Sequence, residues 1–507
     1  YSQIDRATSD MINALPGGEK LLNKDNPYMR ARLLSGVADK AMYWLHKGAF
    51  DYSGEGNTFK SLGRGLKEIL DPIYKADKEK YFINYLTAKR AIELSGRGIK
   101  TPFDLADSKD IVNRYSGEFE SVAKGVYEYK TKLLEHYRDA GFLSKEQFNK
   151  ITELNKFHVP FYRVMEEMQS GTGKGLEGFN VLKAIKGNTE LHVIDPIESI
   201  FKDTYRLLEL AEKNKTMQSL EQLSKRSGDI GSGLLKEVKM HGLDKFKPSD
   251  DVITVYNNGK PTSYQVPKGL GRAIKNLDAQ DTPLLIKILS IPARTLRAGA
   301  TLTPEFMVRN VIRDVMSAFV GSKYDVNLKN LYKGFSASKE GSELSWLWKA
   351  AGGGQSTSMS IDREGMQFGK YEIMAGMPFN GAFKSIGGVW TKQKQTGELS
   401  KWEAANAVIT APIDALRAVT EMSEQGTRLA VFKEALKNEG MTESGMMAAA
   451  FESKDLMDFS RYGSMVRAMN QIIPFMNASI QGSDKMYRTL SKVTSKDPII
   501  KAEGQKA

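Results

Sequence analysis

The sequence predicts a mainly α-helical chain with a multi-lobed helical bundle architecture and one small α+β insert that contains a β-hairpin. Apolar residues recur at helical spacing over long windows, as in Leu70, Ile73 and Tyr74. One later segment alternates instead and reverses direction at Asn258-Gly259, which is typical of a hairpin. The 507 residues exceed what one hydrophobic core usually supports, so we expect several lobes.

Glycine-rich segments, SGEGN, GTGKGLEG and GGGQSTS, indicate the boundaries between these lobes. We predict three parts on this basis. They are a long-helix domain at residues 1–165, a smaller α+β part at residues 166–280 and a second helical domain at residues 281–507.

The hairpin is predicted from Asp251 to Val266, DVITVYNNGKPTSYQV, where apolar and polar residues alternate on both sides of the turn. A third strand is predicted from Glu237 to His241. Because a two-stranded ribbon is only marginally stable alone, we expect the hairpin to pack against a helical lobe.

Composition restricts the function. The chain has no cysteine, which excludes disulfides, thiolate metal sites and cysteine nucleophiles. Its net charge of +12 favours a polyanionic partner, either nucleic acid or an acidic membrane surface, although such charge also keeps proteins soluble. The mean hydropathy of -0.41 and the lack of a long uncharged apolar run argue against a conventional membrane-spanning helix.

Motifs that carry chemistry do not emerge from the sequence. The five histidines form no metal-binding pair, and no nucleophile elbow or metal-binding carboxylate motif occurs. The glycine-rich run GKGLEG matches a dinucleotide pattern formally but lacks the preceding strand. We therefore predict no catalytic residue, cofactor or metal site, which weakens an enzymatic interpretation without excluding it.

Three helical segments place amide and charged residues beside an apolar face. The helix of the first segment begins at Pro304, with Thr303 as N-cap. In the last segment the polar residues recur at intervals of four, three and four residues, at Asn477, Gln481, Asp484 and Arg488. This pattern fits a helical assembly with a polar-network interface, and equally a solvated exterior. The candidate residues are Arg309, Asn310, Arg313, Asp314, Glu424, Arg428, Asn477, Gln481, Asp484 and Arg488.

Four blocks of the C-terminal part, LTPEFMVRNVIRD, EQGTRLAVFKEAL, DLMDFSRYGS and IPFMNASIQGSDKMYR, resemble the C-terminal domain shared by very large bacteriophage polyvalent proteins, in the same order. Upstream, GFLSKEQFNKITELNKFHVPFYRVMEE resembles the segment that often precedes this domain, with a helix capped at Ser144 and Gln147. The resemblance covers roughly residues 100–490. It implies a structural or delivery module of a virion protein and supplies no catalytic residue.

From the resemblance we expect a non-enzymatic part of an internal or ejection protein, carried inside the capsid and delivered into the host. The expected partners are further copies, other ejection or portal-associated proteins, double-stranded phage DNA bound without sequence preference, and the host inner-membrane surface. The candidate DNA-contacting residues are Arg461, Arg467, Lys485, Arg488, Lys492 and Lys496.

Two alternatives stay open at this point. One is an accessory region of a giant virion enzyme such as a virion RNA polymerase. The other is a peripheral membrane module in which the amphipathic segment Lys401–Val419 docks on anionic lipid, although internal packing through Val408, Ile409 and Leu416 explains the pattern of that segment better.

Overall fold

The computed structural model describes residues 2–16, 20–52, 60–99, 101, 103–157, 196–239, 251–275, 334, 342–354 and 425–455. These residues are mostly helical and contain two small antiparallel sheets, which confirms the predicted mainly α class with a small β insert.

The helices before residue 160 are α1 (Ser2–Asn13), α2 (Pro27–Leu33), α3 (Val37–Lys47), α4 (Leu66–Lys75), α5 (Glu79–Gly96), α6 (Leu105–Asp139) and α7 (Lys145–Leu154). The later helices are α8 (Pro196–Arg226), α9 (Gly228–Leu234), α10 (Lys268–Lys275), α11 (Glu343–Ala350), α12 (residues 425–439) and α13 (Glu443–Asp455). The strands are β1 (Phe50–Asp51), β2 (Lys60–Ser61), β3 (Lys236–Val238), β4 (Val252–Asn257) and β5 (Lys260–Gln265).

Helix starts follow local capping chemistry. The Asp104 carboxylate accepts hydrogen bonds from the amides of Ala106 and Asp107 at the start of α6. At the start of α7 the predicted capping box is confirmed. The Ser144 hydroxyl accepts from the Gln147 amide, and the Gln147 side chain accepts from the Ser144 amide.

The predicted hairpin is confirmed, with β4 and β5 antiparallel around Asn258-Gly259. Both turn residues have positive φ, 50° and 78°, as this type of tight turn requires. The third strand is also confirmed as β3, which pairs with β5 and gives the order β3-β5-β4. It begins one residue before the predicted Glu237 and ends at Val238, and His241 lies outside the described residues.

Helix α8 organises the core, because successive parts of it enter three of the four hydrophobic clusters of the described residues. Ile200 packs with α4, α5 and α6, and Leu207 packs with α3, α6 and α7. Leu220 packs with α1 and the sheet, which confirms that the hairpin lies against helices. In the fourth cluster, Leu33 of α2 packs against α11, α12 and α13.

These clusters join described residues from all three predicted parts of the chain. Leu33 and Trp348, for example, share a core although the prediction assigns them to the first and third parts. The domain boundaries themselves stay a prediction, and the glycine-rich segments that suggested them lie mostly outside the described residues.

Candidate functional site: a buried polar seam

Ten charged side chains, four of them buried and six half-buried, lie between α2, α3 and α8 on one side and α11, α12 and α13 on the other. Charges removed from water destabilise a fold unless they are paired and hydrogen-bonded, so the partners of these groups define the site. We call the set the polar seam. Its members are Arg30, Arg32, Asp39, Lys40, Glu212, Lys349, Arg428, Glu443, Lys454 and Asp455.

Arg32 is the most enclosed contact between α2 and α13. Its side chain is 1% exposed, and its Nη2 lies 3.0 Å from Oδ1 of Asp455. Its Nη1 donates to the Tyr28 hydroxyl at 2.7 Å, one turn earlier on α2. The guanidinium also lies 5.5 Å from the Tyr28 ring and 5.2 Å from the Phe451 ring, within cation–π range. One arginine thus fixes the position of the end of α13 on α2.

Arg30 makes the second contact with α13. Its Nη2 lies 3.1 Å from Oε1 of Glu443, at the start of the helix. The pair is more exposed than that of Arg32, with 35% of the Glu443 side chain accessible, so we expect a smaller contribution to stability. Arg30 and Arg32 together hold α13 at both ends.

Glu212 of α8 lies at the centre of the next group. Its carboxylate is 2.9 Å from Nζ of Lys40 and 3.4 Å from Nζ of Lys215. Burial would raise the pKa of Glu212, but the field of Lys40, Lys215 and Arg30 holds this pKa well below its usual range. Glu212 is therefore a permanent anion that connects α8 to α3.

His136 of α6 lies beside Glu212, with Nε2 3.9 Å from the carboxylate. Its ring contacts the Trp44 ring edge-on at a centroid distance of 5.2 Å. Burial, reinforced by the nearby Lys215, lowers the pKa of His136 to about 3, so this imidazole is neutral at physiological pH. A general acid or base acting near pH 7 needs a pKa close to that value. The pKa values of His136 and Glu212 both lie below that value, so these two groups are suited to packing and pairing.

Asp39, in the first turn of α3, faces three cations from the C-terminal helices. These are Lys349, Lys454 and Arg428, and their fields oppose the effect of burial, which raises the pKa of Asp39. The Oδ2 atom of Asp39 is buried and accepts no hydrogen bond from the described residues. Gly354 lies against it so closely that a Cβ there would be 1.7 Å from Oδ2. This close approach requires glycine in the turn after α11.

The C-terminal side of the seam is also hydrogen-bonded within itself. Nε1 of Trp348 donates to Oγ of Ser453 at 3.0 Å, and Ser453 in turn donates to the carbonyl of Ala450. Lys454 is fully buried, and its Nζ donates to the carbonyl of Gly354 at 3.4 Å. Helices α11 and α13 therefore present Asp39 with a pre-formed set of cations.

Arg428 is the one sequence-predicted site residue that lies within the described part of the chain. It is on α12, 1% exposed, and belongs to the polar seam. Its role in an interface between chains stays a prediction. The other predicted residues lie outside the described residues: Arg309, Asn310, Arg313, Asp314, Glu424, Arg461, Arg467, Asn477, Gln481, Asp484, Lys485, Arg488, Lys492 and Lys496.

The sequence analysis missed every residue of the polar seam except Arg428. Arg32 has a weak local signal, since Tyr28 precedes it by four residues and the two share one helix face. Asp39 and Glu212 have none, because an acidic residue on a helix is usually solvated and nothing local marks these two as buried.

Comparisons with known proteins give no match to a family model, a characterised protein or a solved structure. Within the described ranges, no group of three or more histidine, aspartate or glutamate side chains is arranged to hold a metal ion. No helix in those ranges has the length and apolar content needed to cross a bilayer.

Proposed function

We propose that this chain is a non-enzymatic module of a bacteriophage virion, part of a large internal or ejection protein that helps to deliver the phage genome into the host. The observation that carries this proposal is the set of four sequence blocks that resemble the polyvalent-protein domain in the same order. Four separate blocks in order are a more specific signal than one short motif.

The part of these blocks that the structure describes fits a structural role. In α12, Leu429, Phe432 and Leu436 pack in one core with Trp348 and Met446. Arg428 of the same block is enclosed in the polar seam. These side chains join helices together and do not line an open cleft of acid and base groups.

The way in which the fold is stabilised also supports delivery. The chain has no cysteine, so refolding after passage between compartments needs no oxidant. The pairs Arg32–Asp455 and Lys40–Glu212 give the helices a specific register at little net gain in stability, because burying charge costs nearly what pairing returns. A protein stabilised in this way has one defined helix arrangement when folded and can still be unfolded for transport.

In the proposed mechanism, copies or sister chains assemble through helical surfaces into a core or conduit around DNA. Lysines and arginines facing the lumen attract phosphates without reading sequence, and this attraction weakens as salt rises. Residues 485–507 supply six lysines and arginines against two acidic residues. They include the candidates Lys485, Arg488, Lys492 and Lys496.

The mass of the purified chain, measured by light scattering at low and high salt, alone and with double-stranded DNA of arbitrary sequence, tests this proposal. We expect a defined oligomer that binds DNA in a salt-dependent manner. A monomer that ignores DNA at low salt would contradict the conduit. Flotation with anionic liposomes in the same buffers tests the membrane alternative, which predicts lipid binding without DNA binding.

A further inference from the structure

Helices α11, α12 and α13 have a hydrophobic core of their own. We call these three helices, with residues 351–354, the C-terminal unit, and the described residues before 276 the body. The hydrophobic cluster around Trp348 has eleven buried residues, and ten of them belong to the C-terminal unit. Leu33 of α2 is the one buried residue that the body contributes to this cluster. The interior of the unit is therefore formed mostly by its own side chains.

Helix α13 presents different side chains to the body and to the unit's own core. Phe451 and Asp455, one turn apart, lie on the face that contacts α2. Ala449 and Ser453, also one turn apart, lie on the opposite face. Ser453 accepts a hydrogen bond from Nε1 of Trp348 on α11, and Ala449 is fully buried in the unit's core. The contacts that hold the unit together are thus separate from those that hold it on the body.

Charged pairs and aromatic rings connect the C-terminal unit to the body. Two arginine–carboxylate pairs of the polar seam join α2 to α13. The Trp346 ring of α11 meets the rings of Tyr43 and His46 on α3, at centroid distances of 6.2 and 5.1 Å. Arginine and aromatic residues are enriched where separate proteins meet, and interfaces between domains are more polar than domain cores. The seam therefore has the composition of a docking interface between two folded parts.

We propose that the C-terminal unit undocks from the body as a whole, with its own core intact, and that the polar seam is the latch of this motion. Buried ion pairs return little net stability, because removing the charges from water costs nearly what pairing returns. Opening the seam rehydrates those charges and leaves the apolar cores on both sides in place. Such opening of one contiguous part, at a lower free energy than global unfolding, is a general property of folded chains.

Undocking gives the chain a second arrangement in which the facing surfaces of α2 and α13 are open to water. Arg32 and Asp455 then carry exposed charges of opposite sign on two separate parts of the molecule. The inference concerns the fold and does not rest on the proposed function. Its failure would leave that proposal standing.

Single cysteines can report the two kinds of opening separately, because the chain has no cysteine of its own. L33C lies at the seam, where Leu33 is 5% exposed, and A449C lies in the unit's core, where Ala449 is 0% exposed. A123C, in the core of the body, is the reference. The rate of reaction with a thiol reagent, divided by the rate of the same variant unfolded in urea, measures how often each site opens. We expect L33C to react at least about tenfold faster than A449C and A123C.

A core variant decides whether undocking and unfolding of the unit are separate. Met446 is fully buried in the unit's core, so Met446→Ala destabilises the unit without touching the ion pairs of the seam. It should speed the reaction of A449C by at least about tenfold and that of L33C by less than about threefold. Each comparison is made within one cysteine variant, so the effect of the cysteine itself cancels. The milder Ala450→Gly should give the same pattern and serves if Met446→Ala prevents the unit from folding.

A seam variant should give the opposite pattern. Arg32→Met removes the latch on the side of the body, and it should speed L33C and A449C by the same factor, since the core opens from the undocked state. Lys78→Met, at an exposed ion pair of the body, should change neither rate. If Met446→Ala speeds L33C as much as A449C, undocking and unfolding are one step and the proposal is overturned. A reaction of L33C no faster than that of A123C overturns it too, because the seam then opens only when the body unfolds.

Discussion

Replacing Arg32 with methionine should release α13 from α2. The substitution keeps most of the buried volume but removes the charge that faces Asp455, together with the bond to the Tyr28 hydroxyl. Because Arg32 is 1% exposed and Asp455 only 13% exposed, Arg32→Met leaves an enclosed carboxylate without this partner. Breaking a buried pair on one side typically costs about 3–5 kcal/mol. The exposed pair Lys78–Glu118, with both side chains more than 40% accessible, should be worth less than about 1 kcal/mol.

Native-state hydrogen exchange at the amides of residues 443–455 measures this effect directly, because it reports the opening of α13 without requiring the whole chain to unfold in one step. Arg32→Met should speed that exchange by about 100-fold or more, since each 1.4 kcal/mol corresponds to a factor of ten.

Two further variants make the test decisive. Lys78→Met serves as the control and should leave exchange in α13 unchanged. The double variant R32M/D455L replaces both charges by apolar groups and should recover part of the loss. If Arg32→Met and Lys78→Met gave the same exchange rates in α13, the assignment of Arg32 as its main anchor would be refuted.

Three further predictions concern the interior and the assembly. Gly354→Ala should lower the free energy of unfolding by about 1–3 kcal/mol, because the new Cβ would clash with Asp39. Gly117→Ala, in the middle of α6 with open space around it, should instead raise the free energy of unfolding by about 0.5–1 kcal/mol. Urea midpoints of the two variants test both expectations. The pKa of His136 is lowered from 6.5 to about 3, so the unfolded chain takes up its proton first and stability falls as pH drops from 6.5 towards 3. His136→Phe should remove up to about 1.4 kcal/mol per pH unit from that slope, which urea titrations at pH 7.5 and 5 would show. Truncation after Gly463 should abolish assembly in light scattering if the C-terminal polar stripe is an interface, and unchanged oligomers would contradict it.

The predictions that the structure confirms depend on short stretches of sequence. The hairpin turn at Asn258-Gly259 follows from the φ values that those two residues tolerate. The start of α7 at Ser144 follows from a capping box of four consecutive residues. The burial of Leu70 and Ile73, and the half-buried position of Tyr74, follow from helical periodicity. In each case the deciding atoms lie within a few residues of one another.

The sequence alone determined the helical class, the hairpin with its third strand and the capped start of α7, because backbone hydrogen bonding and side-chain periodicity are local. Only the tertiary structure decided which charges are buried together. Arg32 meets Asp455 across 423 positions of the chain, and Asp39 meets Lys454 across a similar separation. A buried charge is identified by its partner and by the exclusion of water, and both depend on how distant helices pack.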